Sequence, residues 1–250
     1  MLAWIRARRR RRLLAEPFPE ASQRVLDAMP AYRALSEPER ARLRDVARVL
    51  AVEKSFVGGG GFVVTEEVRL TIAAQAARLL LGVEHDYFRA LSTVVVHAGA
   101  YGAPEVGALG IVTEGMPREG EAWYRGPVVL SWEPVRRAAF EREPPNVVLH
   151  EFAHRLDMLD GMIDGTPPLR TRASYGPWRD VMTAAYERLR VDEASGRATV
   201  LDGYGAENEG EFFAVATECF FGDARALAAR EPDLYTLLRE YYGQDPARGG

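Results

Sequence analysis

Apolar positions along the chain fall mostly at helical spacing. Leu43, Val46, Ala47 and Leu50 make one stripe behind Ser36-Glu37-Pro38-Glu39, a capping box with proline in the first turn, and a shorter amphipathic segment precedes them over residues 20–29. Thr65 heads a helix reaching Leu81, with Val68, Ile72, Ala73, Ala76, Leu79 and Leu80 on a broad apolar face and Gly82 as its stop. Trp178, Val181, Met182, Ala185, Tyr186 and Leu189 share a face between Tyr175 and Val191. A helix opened by Asn208 carries Phe212, Phe213, Val215, Ala216, Cys219 and Phe220 as far as Gly222, and the last helix runs from Pro232 to Tyr242.

Strand patterning is sparser. Thr93 to His97 is a β-branched run suited to a buried strand, and residues 126–132 give a second, in which Pro127 and Ser131 suit an edge position. An edge strand there would offer unpaired backbone groups to an extended peptide. Residues 99–126 are rich in glycine and turn formers. Gly58 to Gly61 lack the Lys-Ser or Lys-Thr of a phosphate loop and read as a flexible turn. No internal repeat and no linker divides the chain, which predicts a single domain over residues 20–250 behind an N-terminal extension, residues 1–19.

The most informative pattern is a helix that is apolar nearly all round. Behind the start signal Pro144-Pro145-Asn146 come Val147, Val148, Leu149, Phe152, Ala153, Leu156, Met158 and Leu159, closed by Gly161, and such a helix is a buried one. Within it lie His150, Glu151 and His154. Buried polar groups need partners, and residues four apart on a helix share a face, so His150 and His154 can aim both imidazoles at one metal ion. Glu151 is placed to act as a general base toward a water at that ion. The chain has only four histidines. His85 and His97 belong to no helical pair or acidic cluster and read as structural or surface residues.

A catalytic zinc takes about three protein ligands and leaves one position open. Asp160, six residues after His154, matches a compact pattern that normally has glycine three residues after the second histidine; here that position is Asp157. Glu211 would be costly to bury beside Phe212, Phe213 and Val215 without a cation, and zinc would remove that cost. A capping box, Asn208-x-x-Glu211, competes for its side chain, and Glu207, Glu209 and Glu218 compete for its role. Chemistry alone leans to Glu211. Asp157, one turn beyond His154, is placed either to orient a ligand imidazole or to cap a neighbouring segment.

Composition narrows the partners. A net charge of −4 argues against a general nucleic-acid-binding surface. Cys219 is the only cysteine, so no intrachain disulfide forms, which suits a reducing compartment. Arg6, Arg8, Arg9, Arg10, Arg11 and Arg12 are followed by Leu13-Leu14-Ala15, too short for a secretory h-region, and no apolar run suits a membrane span. A cytoplasmic protein with a solvated, poorly ordered start is expected.

The stretch from Asn146 to Gly161, together with Tyr204 to Glu218, strongly resembles the Mlc titration factor A family of zinc peptidases. Ile72 to Ala76, Leu130-Ser131-Trp132 and Gln244-Asp245-Pro246 resemble it as well, so the likeness covers the chain from about residue 20 onward and leaves out the arginine-rich start. The resemblance implies an α+β, zincin-like fold of gluzincin type: mostly helical, with a small mixed β-sheet whose edge strand flanks the helix carrying His-Glu-x-x-His. It implies one Zn²⁺ per chain held by His150, His154 and Glu211, with Glu151 as general base. Tyr204, seven residues before Glu211, is implied as a hydrogen-bond donor, a placement similar to that in the catalytic domain of anthrax lethal factor. The implied activity is aminopeptidase-like hydrolysis of a peptide or protein. The implied partner is a glucose repressor of the Mlc type, and sequestering such a repressor is the rival function.

Overall fold

Several helix starts, those of the segments opened by Ser36, Thr65, Asn146, Asn208 and Asp223 among them, are fixed by side chains that satisfy the first free backbone N–H groups. In the computed structural model, which describes residues 2–99, 101–106, 112–118, 120–122 and 126–248, the N-terminal part is helical: α1 (Leu2–Ala15), α2 (Glu20–Ala28), α3 (Pro30–Arg33) and α4 (Glu37–Glu53). Ser36 and Glu39 close the capping box of α4, with Glu39 Oε2 accepting from the Ser36 N–H at 2.8 Å. Strand β1 (Ser55–Gly58) leads to α5 (Glu66–Arg78), capped by Thr65, and then to β2 (Thr93–His97). The hairpin β3 (Tyr101–Val106) and β4 (Val112–Arg118), then β5 (Gly120–Ala122) and β6 (Val128–Ser131), precede α6 (Trp132–Phe140). The rest is helical again: α7 (Val147–Asp157), α8 (Tyr175–Ala194), α9 (Glu209–Gly222), α10 (Ala224–Arg230) and α11 (Pro232–Tyr242).

The four-stranded sheet has the order β1-β2-β6-β5, with the first three strands parallel and β5 antiparallel to β6, so the fold is α+β with a small mixed sheet. Helix α5 connects β1 to β2 and packs on α4, α6 and α7. Its small residues Ala73, Ala76 and Ala77 are buried, which lets neighbouring helices approach closely. Helices α7 and α9 pack along one another, bringing Val148, Leu149, Phe152, Phe212 and Phe213 into the core.

Three expectations change. Residues 126–132 do not form the edge: Val128 pairs with Val94 of β2 and with Ala122 of β5, so β6 is an inner strand. The edge strand lying beside α7 is β5, from the glycine-rich stretch whose composition hid its strands. The arginine-rich start is helical rather than poorly ordered, because α1 finds counter-charges on the body. Arg10 grips Glu53 with two hydrogen bonds of 2.7 and 2.6 Å and lies 4.0 Å above the Tyr87 ring, while Arg48 donates to the Glu16 carbonyl. Among the described residues no helix is long and apolar enough to cross a membrane.

Candidate metal centre

Asn146 fixes where α7 begins: its Oδ1 accepts from the Leu149 N–H at 3.1 Å. One turn in stands His150, and a turn later His154, their rings edge to face with centroids 4.8 Å apart. Asn208 does the same for α9, accepting from the Glu211 N–H at 3.0 Å. The Asn208 side chain thus supplies the cap, and the Glu211 carboxylate reaches the histidines instead of turning back. Glu211 Oε2 lies 3.0 Å from His150 Nε2 and 3.3 Å from His154 Nε2, and the two Nε2 atoms are 3.2 Å apart.

That triangle fits a metal ion. An ion bound tetrahedrally through nitrogen and oxygen at ~2.0–2.1 Å has its ligand atoms separated by about 3.3 Å, and the three observed separations are 3.0, 3.2 and 3.3 Å. His150, His154 and Glu211 form a cluster that can hold a metal. The ring of His150 is set from behind: Glu218 Oε1 lies 2.7 Å from His150 Nδ1. An ionised carboxylate only accepts, so Nδ1 carries the hydrogen and Nε2 points its remaining position at the cluster. Glu218 has a second task, since its Oε2 accepts from the Asn146 N–H at 2.8 Å and so ties α9 to the start of α7.

Charge is finely matched here. Burial acts to lower the His150 imidazole's pKa, but hydrogen bonds to Glu211 and Glu218 outweigh it and raise it to about 10. Burial likewise acts to raise Glu211, and the two histidines outweigh it, bringing it down to about 2. The carboxylate and imidazole contact therefore needs a cation on or between the partners, either a proton on Nε2 or a metal. His154 Nδ1 is buried and has no hydrogen-bond partner among the described residues.

Glu151 is buried and lines the same cleft as the three cluster residues. Tyr204 sits in the 3-10 turn Gly203–Ala206, where Asp202 accepts from its N–H at 2.9 Å. Its ring centroid is 6.0 Å from that of His150, and the side chain is half exposed to the cleft. The other candidates stand outside the cluster. Asp160 is exposed and accepts from the Met162 N–H, and Glu207 and Glu209 are exposed, outside the cluster. His85 accepts from the Tyr87 N–H, and His97 packs beside Gly59. Asp157 takes the capping alternative: its Oδ2 accepts from the Gly165 N–H at 2.9 Å, holding the loop after α7, and burial raises its pKa to about 6. The residue that orients a histidine is Glu218, which the sequence offered only as a rival ligand. Its position seven after Glu211, on the same side of α9, was the available signal. Cys219 also lines the cleft, but burial pushes its thiol up to about 12, which rules out a ready thiolate nucleophile.

Comparison with known proteins gives the chain a metallo-peptidase family. The family model of glucose-regulated metallo-peptidase M90 matches residues 4–243, which takes in the arginine-rich start. The uncharacterized protein slr2042 of Synechocystis sp. is 36% identical over 247 residues, 95% of this chain and 89% of the relative. Mlc titration factor A of Serratia proteamaculans is 31% identical over 225 residues, 88% of this chain and 85% of that protein. The protein of the same name from Yersinia pestis is 30% identical over 224 residues, covering 87% and 82%. With a match that runs almost end to end and three metal-binding side chains converging on one point, the chain belongs to the glucose-regulated metallo-peptidase M90 family.

Proposed function

We propose that the protein is a zinc-dependent peptidase with a zincin-like catalytic domain over residues 20–250, one Zn²⁺ per chain and His150, His154 and Glu211 as its ligands. The observation that carries this reading is the triangle of donor atoms, 3.0 to 3.3 Å on a side, backed by Glu218. When bound, Zn²⁺ would polarise the scissile carbonyl and bring the pKa of a water down toward ~7.

The chain's own residues do the rest. Glu151, shielded from solvent, accepts the proton from the attacking water and returns it to the leaving amine. Tyr204 is exposed to the cleft and donates to the oxyanion that develops on the carbonyl, a contact worth ~3 kcal/mol in the transition state. Glu218 keeps the His150 ring in register, and the Asn146 cap keeps α7 in register with α9. The substrate is a peptide or protein, cleaved in an aminopeptidase-like manner in the cytoplasm, and the reaction is tied to control of a sugar-responsive repressor.

A second reading has its own support. Relatives carry the name Mlc titration factor A, which supports reading the chain as a binding protein that sequesters a repressor of the Mlc type, with hydrolysis secondary. Glu151 favours the enzyme, because a site used only for binding has no need of a base. Hydrolysis of a peptide library, measured with chelator and after zinc is restored, tests the first reading. Pull-down of the repressor by the Glu151→Gln variant tests the second. Chelator-insensitive hydrolysis, or none with zinc present, overturns the enzyme.

A further inference from the structure

The cleft that holds the cluster is large, about 1470 Å³, and it extends well beyond the metal-binding side chains. Its course follows two helices. Phe221 stands ten positions after Glu211 on α9, about 15 Å along the axis at ~1.5 Å per residue. In the same direction α7 runs back from His154 through His150 to Asn146, and the chain before it leads through Pro144-Pro145 to Arg142. Both helices thus lead from the cluster to one remote end.

Two cations, Arg78 and Arg142, line that end, where Glu143 and Asp223 also line the cleft without pairing to either. Arg78, from the last turn of α5, lies over the Phe221 ring at 4.8 Å and gives one N–H to the Phe221 carbonyl at 3.2 Å. A guanidinium has five N–H groups, so the greater part of its donor capacity is unspent. Among the described residues neither Arg78 nor Arg142 has a carboxylate within ion-pair distance. Burial, and after it the nearby like charge of Arg142, pull Arg78 down to about 10. Two guanidinium groups that line one cleft from different elements, one partly buried and one exposed, are suited to a planar anion.

We propose that Arg78 and Arg142 form a carboxylate-binding subsite at the far end of the cleft, selecting peptides that carry a negative charge about four residues from the bond to be cut. The spacing is the 15 Å offset divided by the ~3.5 Å advance of an extended chain. This rests on the peptidase reading of the cluster. The carboxylate belongs either to an aspartate or glutamate side chain or to the free C-terminus of the peptide.

The test uses the full chain carrying Glu151→Gln, and fluorescein-labelled ten-residue peptides whose binding is followed by anisotropy, so that no turnover is needed. One set has a single glutamate moved along the peptide, a second has glutamine at each of those places, and every peptide is made with a free and with an amidated C-terminus. The expected result is about tenfold tighter binding for one glutamate position over its glutamine counterpart, or for free over amidated termini. The gain is lost on adding Arg142→Ala, an exposed position where folding is not at risk, and on adding Arg78→Gln. A glutamate effect assigns the side chain as the source; an effect of amidation assigns the C-terminus. Equal binding throughout, or a gain that survives Arg142→Ala, overturns the subsite. Cleavage of the same peptides by the zinc-loaded wild type separates the two claims. Hydrolysis indifferent to charge sinks the subsite and leaves the peptidase standing. Arginine-dependent binding without hydrolysis keeps the subsite and sinks the peptidase.

Discussion

At one end of the cleft two imidazoles and two carboxylates are joined by contacts of 2.7 to 3.3 Å; at the other, two guanidinium groups line the wall without an ion pair to the described carboxylates. The first end is matched within the protein itself, so its geometry is set before any substrate arrives. The second is incomplete, and a negatively charged ligand is the natural complement. Removing a charge from a matched cluster strands its partners, which is costly. Removing a charge from an unmatched pair relieves repulsion. Substitutions at the two ends are therefore expected to have opposite consequences for the folded protein.

The largest effect is expected at the matched end. His154→Ala removes one of three donors, and metal analysis of the purified variant should find it emptied, with no hydrolysis left; undiminished occupancy would remove His154 from the ligand set. Glu151→Gln should retain the metal and lose about 10³-fold in kcat, the scale of general acid and base catalysis. A variant that turns over at the wild-type rate would show that the proton goes elsewhere. Tyr204→Phe should leave metal content alone and lower kcat by about 10²-fold, as for loss of one oxyanion donor. If kcat holds and KM rises instead, the phenol binds substrate without serving the reaction.

Glu218→Gln probes the matching more gently. Glutamine has one acceptor oxygen where glutamate has two, so it can accept from the Asn146 N–H or from His150 Nδ1 but must set an NH2 donor against the other. Metal affinity should fall by about 10- to 100-fold, the usual cost of losing a partner behind a ligand histidine. Competition against a chromophoric chelator measures it. Unchanged affinity would mean that the packing of α7 on α9 alone orients the ring.

How much of this was legible in the sequence differs between the two ends for a physical reason. His150, Glu151 and His154 are a local pattern on one helix, and burial of that helix could be read from Val147 to Leu156. Glu211 could be narrowed from four acidic candidates by the cost of burying a carboxylate among phenylalanines. The double task of Glu218 could not, because it depends on how α9 docks against α7. Nor could the strands of residues 101–122, whose glycines and turn formers disguise a hairpin and the sheet's edge. Arg78 closes an alanine-rich helix and reads as a favourable charge at a helix end. Only the fold brings it to the same cleft as Arg142.

The smallest predicted effect has the opposite sign and sharpens the contrast most. Helix α6 ends at Phe140, and two residues on Arg142 adopts a left-handed backbone with φ +60°, a position at which glycine is favoured. A residue with a Cβ pays about 1 kcal/mol there, partly offset in a glycine variant by the greater freedom of its unfolded chain. Arg142→Gly also removes the charge that repels Arg78. The variant should be more stable by about 0.5 to 1 kcal/mol, a rise of about 2 °C in Tm for a chain of this size. Arg142→Ala separates the causes, since it removes the charge and keeps the backbone strain; a gain in Arg142→Gly alone is backbone, and a gain in both is repulsion. A fall in Tm for both variants would mean that Arg142 is stabilised by the protein, and the cleft's remote end would then be matched like the other.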